Sequence, residues 1–222
     1  GLTGPHPKDD YTAKSFVDVA DRVAKNRGLT KFYVGGNSMG GWVTHEYAKA
    51  HPEKLQGIIL VDAGGAPDSQ PKSLPVGFRI ARMPVLNQLA RIITPRSMVE
   101  KSLRQSVSNA AVVTPAEVDE YWELLRHPGN REATGKRFAL YSSRNTQTAV
   151  SDNTRQVPAL ILWGDEDKLI PVSSAKWFQS TYTGNVTHIY KGIGHMPMEE
   201  SADKSAEDVR NWLKVRTSAP AD

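Results

Sequence analysis

The chain has no cysteine, which excludes disulfide bonds and metal sites built from thiolates. It also has no apolar run that approaches the length of a membrane-spanning helix. Clusters of one charge sign are absent as well: the net charge is +4, but basic residues are interleaved with acidic ones along the chain. We therefore expect a solvated surface rather than a nucleic-acid interface.

The composition that remains is that of an ordinary globular protein, with 39% hydrophobic and 23% charged residues. The 222 residues suffice for one large domain, or for one domain that carries an inserted subdomain. The sequence shows no internal repeat and no low-complexity tract. It shows no cluster of metal-binding residues either, and we expect neither a metal nor a cofactor.

Short apolar runs alternate with amphipathic segments towards both ends of the chain, which predicts an α/β fold with a parallel sheet. Of the predicted strands, Leu55–Val61 is apolar almost throughout, as expected of a strand buried on both faces. The other predicted strands are Phe32–Val34, Ala159–Trp163 and Val186–Tyr190. Helical spacing of apolar residues predicts helices over Thr12–Lys25, after the first strand, over Ser173–Ser180 and over Ala202–Val215.

A glycine-rich motif separates the first predicted strand from the helix that follows it. Residues 36–40 read GNSMG and match the pattern G-x-S-x-G, with Ser38 at its centre. A strand before this pattern and a helix after it are typical of a nucleophile elbow, which holds a serine in a strained conformation with its hydroxyl clear of the sheet. We expect Gly36 and Gly40 to be required because a side chain there would collide with neighbouring backbone. The pattern alone also fits a glycine-rich turn that happens to contain a serine.

The composition changes between residues 66 and 156, where helix starts are present and a strand pattern is not. Threonine–proline pairs mark two helix starts, at Thr94 and Thr114, because the hydroxyl caps the helix and proline suits the first helical position. Glu117 completes a capping box with Thr114. We therefore divide the chain into a first core part (1–65), an inserted helical cap (66–156) and a second core part (157–222).

Three polar residues follow three of the predicted strands: Ser38, Asp167 and His195. Ligands bind at the carboxyl edge of an open parallel sheet, and we expect the three side chains to converge there. A serine hydroxyl needs a base to become nucleophilic, and His195 can take its proton and return it to a leaving group. A buried carboxylate would fix the tautomer of the imidazole and stabilise the imidazolium. The backbone N–H of Met39 would donate to the oxyanion.

Three motifs, in this order, resemble those of the α/β-hydrolase-fold serine hydrolases of the esterase and lipase kind. They are the elbow GNSMGG, the acid loop WGDEDKLIP and the histidine loop GIGHMPMEE. The resemblance covers nearly all of the chain, and it implies an α/β-hydrolase fold with a parallel sheet, flanking helices and an inserted helical cap. It also implies a catalytic triad of Ser38, Asp167 and His195. The dehalogenases and epoxide hydrolases of this fold are less similar, because they have aspartate where this chain has serine.

Three acidic residues could supply the carboxylate of the triad. The family pattern W-G-x-x-D-x-x-x-P implies Asp167. Asp62 stands where some relatives keep an acid after the preceding strand, and Asp165 fits a loop or capping residue. His195 lies in a glycine-lined loop that lets it project, whereas the other histidines are expected on the surface or in helices: His6, His45, His51, His127 and His188.

The family normally has further strands before the elbow, and a loop after one of them supplies the other oxyanion donor. We find no such segment here, and residues 1–5 (GLTGP) are similar to the tail of the family's D-x-P-G-x-G loop. We therefore expect the N-terminal part of the fold to be missing from this chain, which would leave the elbow strand an unpaired hydrophobic edge. The chain would then associate with the missing segment or with a second copy. The compartment, cytoplasm or periplasm, stays open.

The resemblance implies hydrolysis of carboxylic esters through an acyl-serine intermediate. A small hydrophobic substrate is indicated by apolar and aromatic residues of the cap, although the same residues could simply pack it: Leu86, Leu89, Tyr121, Trp122, Phe138 and Tyr141. A second hypothesis is a carbon–carbon bond hydrolase of ring-cleavage products, which shares GNSMGG but commonly has tryptophan where this chain has Met196. A third is a non-catalytic binding protein on a hydrolase scaffold.

Overall fold

The apolar runs form one parallel sheet of four strands, in the order β1-β2-β3-β4. This is seen in a computed structural model that describes residues 3–67, 74–81, 83, 93–142 and 149–217. The strands are β1 (Phe32–Asn37), β2 (Leu55–Val61), β3 (Ala159–Gly164) and β4 (Asn185–Tyr190). In the register of the sheet, Val61 pairs with Asn37 and with Leu162, and Gly164 pairs with Tyr190. The carboxyl ends of all four strands therefore lie at one edge.

Helices cover both faces of this sheet. In chain order, the helices within the described residues are α1 (Ala13–Asn26), α2 (Met39–Ala50), α3 (Val76–Ala81), α4 (Arg96–Ser106), α5 (Pro115–Arg126), α6 (Asn130–Ser142), α7 (Asp152–Arg155), α8 (Ser173–Thr181), α9 (Pro197–Glu200) and α10 (Ala202–Thr217). Short 3₁₀ helices span Pro52–Lys54 and Ala110–Val112. The predicted fold class, a parallel sheet flanked by helices, is confirmed.

Successive side chains of the central strands point to opposite faces, and each face has its own core. On one face, strand residues pack against α1, α2 and α8: Ile58, Leu60 and Ile161 with Val17, Tyr47 and Phe178. On the other face, they pack against α10: Leu160, Leu162 and Tyr190 with Trp212. All six residues of β3 are buried. Full burial of one such aliphatic side chain stabilises the fold by about 1.5–3 kcal/mol, so the two cores fix the sheet that carries the site.

Residues 66–156 lie between β2 and β3, and the regular secondary structure described there is helical, joined by turns and irregular segments. Thr114 and Glu117 form the predicted capping box at the start of α5. The prediction for Thr94 is wrong by one residue, because Pro95 has extended backbone angles and α4 begins at Arg96. Phe138 packs against Phe78 at 4.6 Å between ring centres. Among the other residues predicted to indicate a hydrophobic substrate, Leu86, Leu89 and the side chain of Tyr141 lie outside the described residues.

Strand β1 is an edge strand of the part of the chain that the structure describes, where it pairs with β2 alone. Apolar side chains of α1 and of the connection from α1 to β1 are exposed, with Val19 at 41%, Val23 at 57% and Leu29 at 48% of their maximal accessibility. Within the described ranges, every helix is too short or too polar to span a bilayer.

Candidate active site

Ser38 occupies a strained turn between β1 and α2. Its backbone angles are φ +56° and ψ −115°, a region that L-residues other than glycine rarely adopt. The end of β2 holds the turn in place, because the N–H of Ser38 donates to the carbonyl of Val61 (2.9 Å) and the carbonyl of Ser38 accepts from the N–H of Gly64 (2.8 Å). The N–H of Trp42 donates to the same carbonyl at 3.1 Å, which starts the helix directly after the serine.

Two glycines permit the close approach of backbone around this turn. A Cβ at Gly36 would lie 2.4 Å from the carbonyl carbon of Gly40, and a Cβ at Gly41 would lie 2.4 Å from the Cβ of Ala63. A Cβ at Gly40 would have no described atom within 4 Å outside its own helix and chain neighbours. The expectation for Gly40 is therefore wrong: after the serine, Gly41 is the position where space requires glycine, because it faces the end of β2.

His195 and Asp167 are brought together after β4 and β3. The Nδ1 of His195 lies 2.8 Å from the Oδ2 of Asp167, and the two residues are 7% and 1% exposed. The other carboxylate oxygen of Asp167 accepts hydrogen bonds from the N–H groups of Leu169 (2.7 Å) and Ile170 (3.0 Å). The loop after β3 thus fixes the carboxylate of Asp167 towards the imidazole of His195. Because Asp167 bonds Nδ1, the other ring nitrogen, Nε2, is available for proton transfer.

Glycine at position 164 allows the acid loop and the histidine loop to touch. A Cβ there would lie 2.0 Å from the carbonyl oxygen of Gly194 and 2.4 Å from that of Ile193. Contact between these two backbones is what brings residues 167 and 195 within hydrogen-bond distance. The acidic alternative Asp165 is placed elsewhere, because its Oδ1 accepts from the N–H of Gly192 at 2.7 Å and so serves the loop itself.

Asp62 forms a second buried carboxyl group beside this pair. Its Oδ1 accepts from the N–H of Gly164 at 3.1 Å, its Oδ2 makes no hydrogen bond with the residues described, and the side chain is fully buried. Burial, and then the negative charge of Asp167, raise the pKa of Asp62 well above its usual range. The charged form of Asp62 is therefore disfavoured, and it is Asp167 whose carboxylate lies within hydrogen-bond distance of the imidazole.

Among the residues that the structure describes, the same three side chains could offer ligands to a metal ion. One ligand atom each of Asp62, Asp167 and His195 can be chosen so that all lie within 4.8 Å of one another. The Nδ1 of His195 and the Oδ2 of Asp167 already lie 2.8 Å apart, the distance of a direct hydrogen bond. The arrangement thus fits proton transfer by a histidine and a carboxylate.

Asn37, the residue before Ser38, links the turn to the histidine loop. Its Nδ2 donates to the carbonyl of His195 (3.1 Å) and to that of Val61 (3.3 Å). The Oγ of Ser38 makes no hydrogen bond with a described residue, so the bond between Ser38 and His195 that a complete triad requires is not formed. Met39 occupies the first position of α2, where a backbone N–H has no acceptor within the helix.

Sequence reasoning missed the contacts of Glu200, the last residue of the histidine-loop motif. Its carboxylate binds backbone N–H groups of the histidine loop and of the segment between α4 and α5. The acidic pair Glu199-Glu200 that ends GIGHMPMEE is the signal that could have drawn attention to it. His45, expected on the surface or in a helix, lies in α2 and is 1% exposed.

A family model described as "Serine aminopeptidase, S33" matches residues 1–202 of the chain. An uncharacterized protein of Mycobacterium tuberculosis is 23% identical over 227 residues, which cover 97% of this chain and 65% of that protein. Lipase 3 of a Moraxella species is 24% identical over 218 residues, which cover 90% of this chain and 62% of the lipase. The chain thus spans slightly less than two thirds of the length of these relatives.

A solved structure of a meta-cleavage product hydrolase from Pseudomonas fluorescens superposes on the chain with a TM-score of 0.74. The match has 19% sequence identity and covers 92% of this chain and 72% of the other. At this identity the likeness is one of fold, and it agrees with the arrangement of sheet and helices described above.

Proposed function

The chain belongs to the family described as "Serine aminopeptidase, S33", a family of hydrolases with the α/β-hydrolase fold, and on this premise we propose that it hydrolyses carboxylic esters through an acyl-serine intermediate. The observation that carries the proposal is the buried pair of His195 and Asp167, 2.8 Å apart, at the sheet edge where Ser38 occupies its strained turn. Asn37 supports the assignment, because its side chain bonds the backbone of His195 directly beside the serine.

The proposed reaction has two halves, and His195 accepts and returns a proton in each of them. Ser38 Oγ attacks the ester carbonyl carbon while Nε2 of His195 accepts the hydroxyl proton. The backbone N–H of Met39 donates to the oxyanion that forms, and the charge of Asp167 stabilises the imidazolium. His195 then returns the proton to the departing alcohol. In the second half, the oxygen of a water molecule attacks the acyl carbon while His195 takes a proton from that water. His195 returns the proton to Ser38 Oγ as the bond from Oγ to the acyl carbon breaks, which releases the acid and restores Ser38.

The missing hydrogen bond between Ser38 and His195 is compatible with this scheme. Hydrogen bonds between a nucleophile and its base are often long without substrate and tighten in the complex. The strain at Ser38 supports a functional role as well, because a non-glycine residue at positive φ is costly by about 1–3 kcal/mol and is retained mainly at such sites.

The proposed substrate is small and hydrophobic. Apolar side chains of the segment 66–156 surround Met196, which directly follows His195, beside the carboxyl groups of Glu117 and Glu199. These apolar residues are Leu103, Val107, Val112, Val113 and Tyr121. We propose that the segment 66–156 acts as a helical cap that selects the acyl or alcohol group.

The nucleophile can be tested directly with a fluorophosphonate probe and a series of p-nitrophenyl esters. Wild-type protein is expected to bind the probe covalently and to hydrolyse short and medium acyl chains, and Ser38→Ala should abolish both. Ser180→Ala, which removes an exposed hydroxyl on α8, serves as the matched control and should retain both. Labelling that survives in Ser38→Ala would assign the nucleophile to another residue, and a wild type that is never labelled would favour the non-catalytic alternative.

Carbon–carbon bond hydrolysis of ring-cleavage products is the second candidate. The asparagine at position 37, which bonds the histidine loop, belongs to the GNSMGG motif that such enzymes share. Met196 in place of their usual tryptophan argues for the ester reaction. Turnover of a vinylogous diketone faster than turnover of the p-nitrophenyl esters would reverse this order.

The association predicted from the sequence stays a prediction. It is supported by the outer edge of β1, which has no strand partner in the part of the chain that the structure describes. Light scattering after size exclusion would test it, and an active, soluble monomer of 24.4 kDa would refute it.

A further inference from the structure

The carboxylate of Glu200 lies between the histidine loop and the segment that follows α4. Its Oε1 accepts hydrogen bonds from the N–H of Gly194 (2.9 Å) and, at a longer 3.4 Å, from that of Met196. Its Oε2 accepts from the N–H groups of Ser108 (2.8 Å) and Asn109 (3.1 Å). Each oxygen thus serves one of the two segments, and a single side chain joins them.

The two residues on the Oε1 side are the immediate neighbours of His195 in the sequence. The two on the Oε2 side belong to the inserted segment 66–156, just beyond the end of α4. Hydrogen bonds to an ionised acceptor are about twice as strong as those between neutral groups. Loss of the carboxylate would leave partly buried N–H groups unpaired on both sides, and it would therefore loosen both segments together.

Two further contacts join the same segments beside the hydrogen bonds that Glu200 accepts from backbone N–H groups. The backbone N–H of His195 donates to the carbonyl of Ser106, the last residue of α4, at 3.0 Å. The hydroxyl of Ser108 lies 2.7 Å from Oε2 of Glu200 and 2.5 Å from the carbonyl oxygen of Gly192, and its one proton serves either acceptor. The backbone of the histidine is therefore tied directly to the end of the inserted helix.

The absence of a side chain at Gly194 brings the two backbones into contact. A Cβ there would lie 2.6 Å from the backbone nitrogen of Ser108 and 2.9 Å from the carbonyl carbon of Val107. With no side chain between them, a displacement of residues 106–109 passes directly to residues 194–196. Asp167 holds the imidazole at one nitrogen. The position of the ring therefore depends further on the backbone of residues 194–196.

We propose that Glu200 is a positioning residue that couples the placement of α4 and the segment after it to the placement of His195. The inference rests on the proposed role of His195 as the base towards Ser38. A misplacement of a catalytic group by about 1 Å can lower a rate about 10²-fold, so a carboxylate that fixes this backbone affects the chemical step. Substrate that moves the inserted helices would, by the same route, move the imidazole.

The test compares Glu200→Ala, Glu200→Gln and a matched control, Glu207→Gln, which alters an exposed glutamate on α10. Active sites are first titrated with a fluorophosphonate, so that kcat is expressed per reactive serine. We expect kcat to fall about 100-fold in Glu200→Ala with KM changed less than about threefold. In Glu200→Gln, kcat should fall less, because the amide oxygen still accepts a hydrogen bond on one side. In Glu207→Gln, kcat should equal that of wild type.

Hydrogen exchange provides a measurement that does not depend on catalysis. Peptides covering residues 192–198 and 104–110 should both exchange faster in Glu200→Gln than in wild type, whereas peptides of the sheet should not change. A kcat per titrated serine within threefold of wild type in Glu200→Ala would overturn the inference, as would faster exchange in only one of the two peptides. A wild type that does not react with the probe would instead count against the proposed function, and the exchange result would then decide the coupling alone.

Discussion

The Nδ1 of His195 lies 2.8 Å from the Oδ2 of Asp167, although the two residues are 28 positions apart and follow different strands. Asp167 is also fixed by two backbone N–H groups of its own loop, whereas neighbouring Asp62 has one unpartnered oxygen and a raised pKa. One carboxyl group is thus oriented towards the imidazole, and the other is buried where its charged form is disfavoured.

This difference predicts unequal effects of the two isosteric substitutions on activity. Asp167→Asn should lower kcat about 10³–10⁴-fold, because an amide in that place favours the wrong imidazole tautomer and does not stabilise the imidazolium. Asp62→Asn should lower kcat less than about tenfold, since burial and the charge of Asp167 already disfavour the charged form of Asp62, which asparagine cannot adopt. Steady-state kinetics on a p-nitrophenyl ester would measure both. An equal loss in the two variants would contradict the predicted difference, and a larger loss in Asp62→Asn would assign the acid of the triad to Asp62.

The raised pKa of Asp62 also predicts a pH dependence of stability. An acid whose pKa is raised in the folded state contributes stability below its unfolded pKa, near 4, and loses that contribution as pH rises towards the folded pKa. Asp62→Asn removes this titration. Its free energy of unfolding relative to wild type should therefore increase with pH above 4, by at most about 1.4 kcal/mol per pH unit. Urea unfolding at pH 5 and pH 7 would show the change, and parallel curves would contradict the assignment.

The lowered pKa of His45 predicts that stability is lost as the pH falls, opposite to the effect of Asp62. Its ring is buried against Trp177 and Phe178, its Nδ1 lies 2.7 Å from the hydroxyl of Tyr182, and burial lowers its pKa from the usual 6.5 to about 3. Below pH 6.5 the unfolded chain is therefore protonated at His45 while the folded chain is not. This difference lowers the free energy of unfolding by about 2 kcal/mol at pH 5. In His45→Gln the free energy of unfolding should fall less between pH 7 and pH 5 than in wild type. Equal falls would place the pH dependence elsewhere.

The two glycines after Ser38 predict a contrast in stability. Gly41→Ala should destabilise the protein by about 1–3 kcal/mol, because its methyl group would lie 2.4 Å from the side chain of Ala63. Gly40→Ala places a methyl group in open space within α2, where alanine exceeds glycine in helix propensity by about 1 kcal/mol, so it should be neutral or stabilising. Thermal unfolding of both variants measures the difference. A larger loss in Gly40→Ala than in Gly41→Ala would refute this account of the turn.

The sequence by itself determined the features that depend on neighbouring residues. The largely apolar run Leu55–Val61 predicted its strand to the residue, because a strand covered on both faces has a nearly continuous apolar pattern. Thr114 and Glu117 predicted their capping box because the partners are three residues apart. The order of the three motifs was likewise enough to indicate the hydrolase family before any coordinates were known.

Only the tertiary structure decided the states and contacts that arise between distant segments. The raised pKa of Asp62 depends on its burial beside Asp167, and the lowered pKa of His45 depends on its burial among aromatic rings from α8. Glu200 contacts Ser108, which is 92 positions away. Sequence patterns report burial and capping over a few residues, but a pKa or a bridging hydrogen bond is set by which groups the packing of the whole chain brings together.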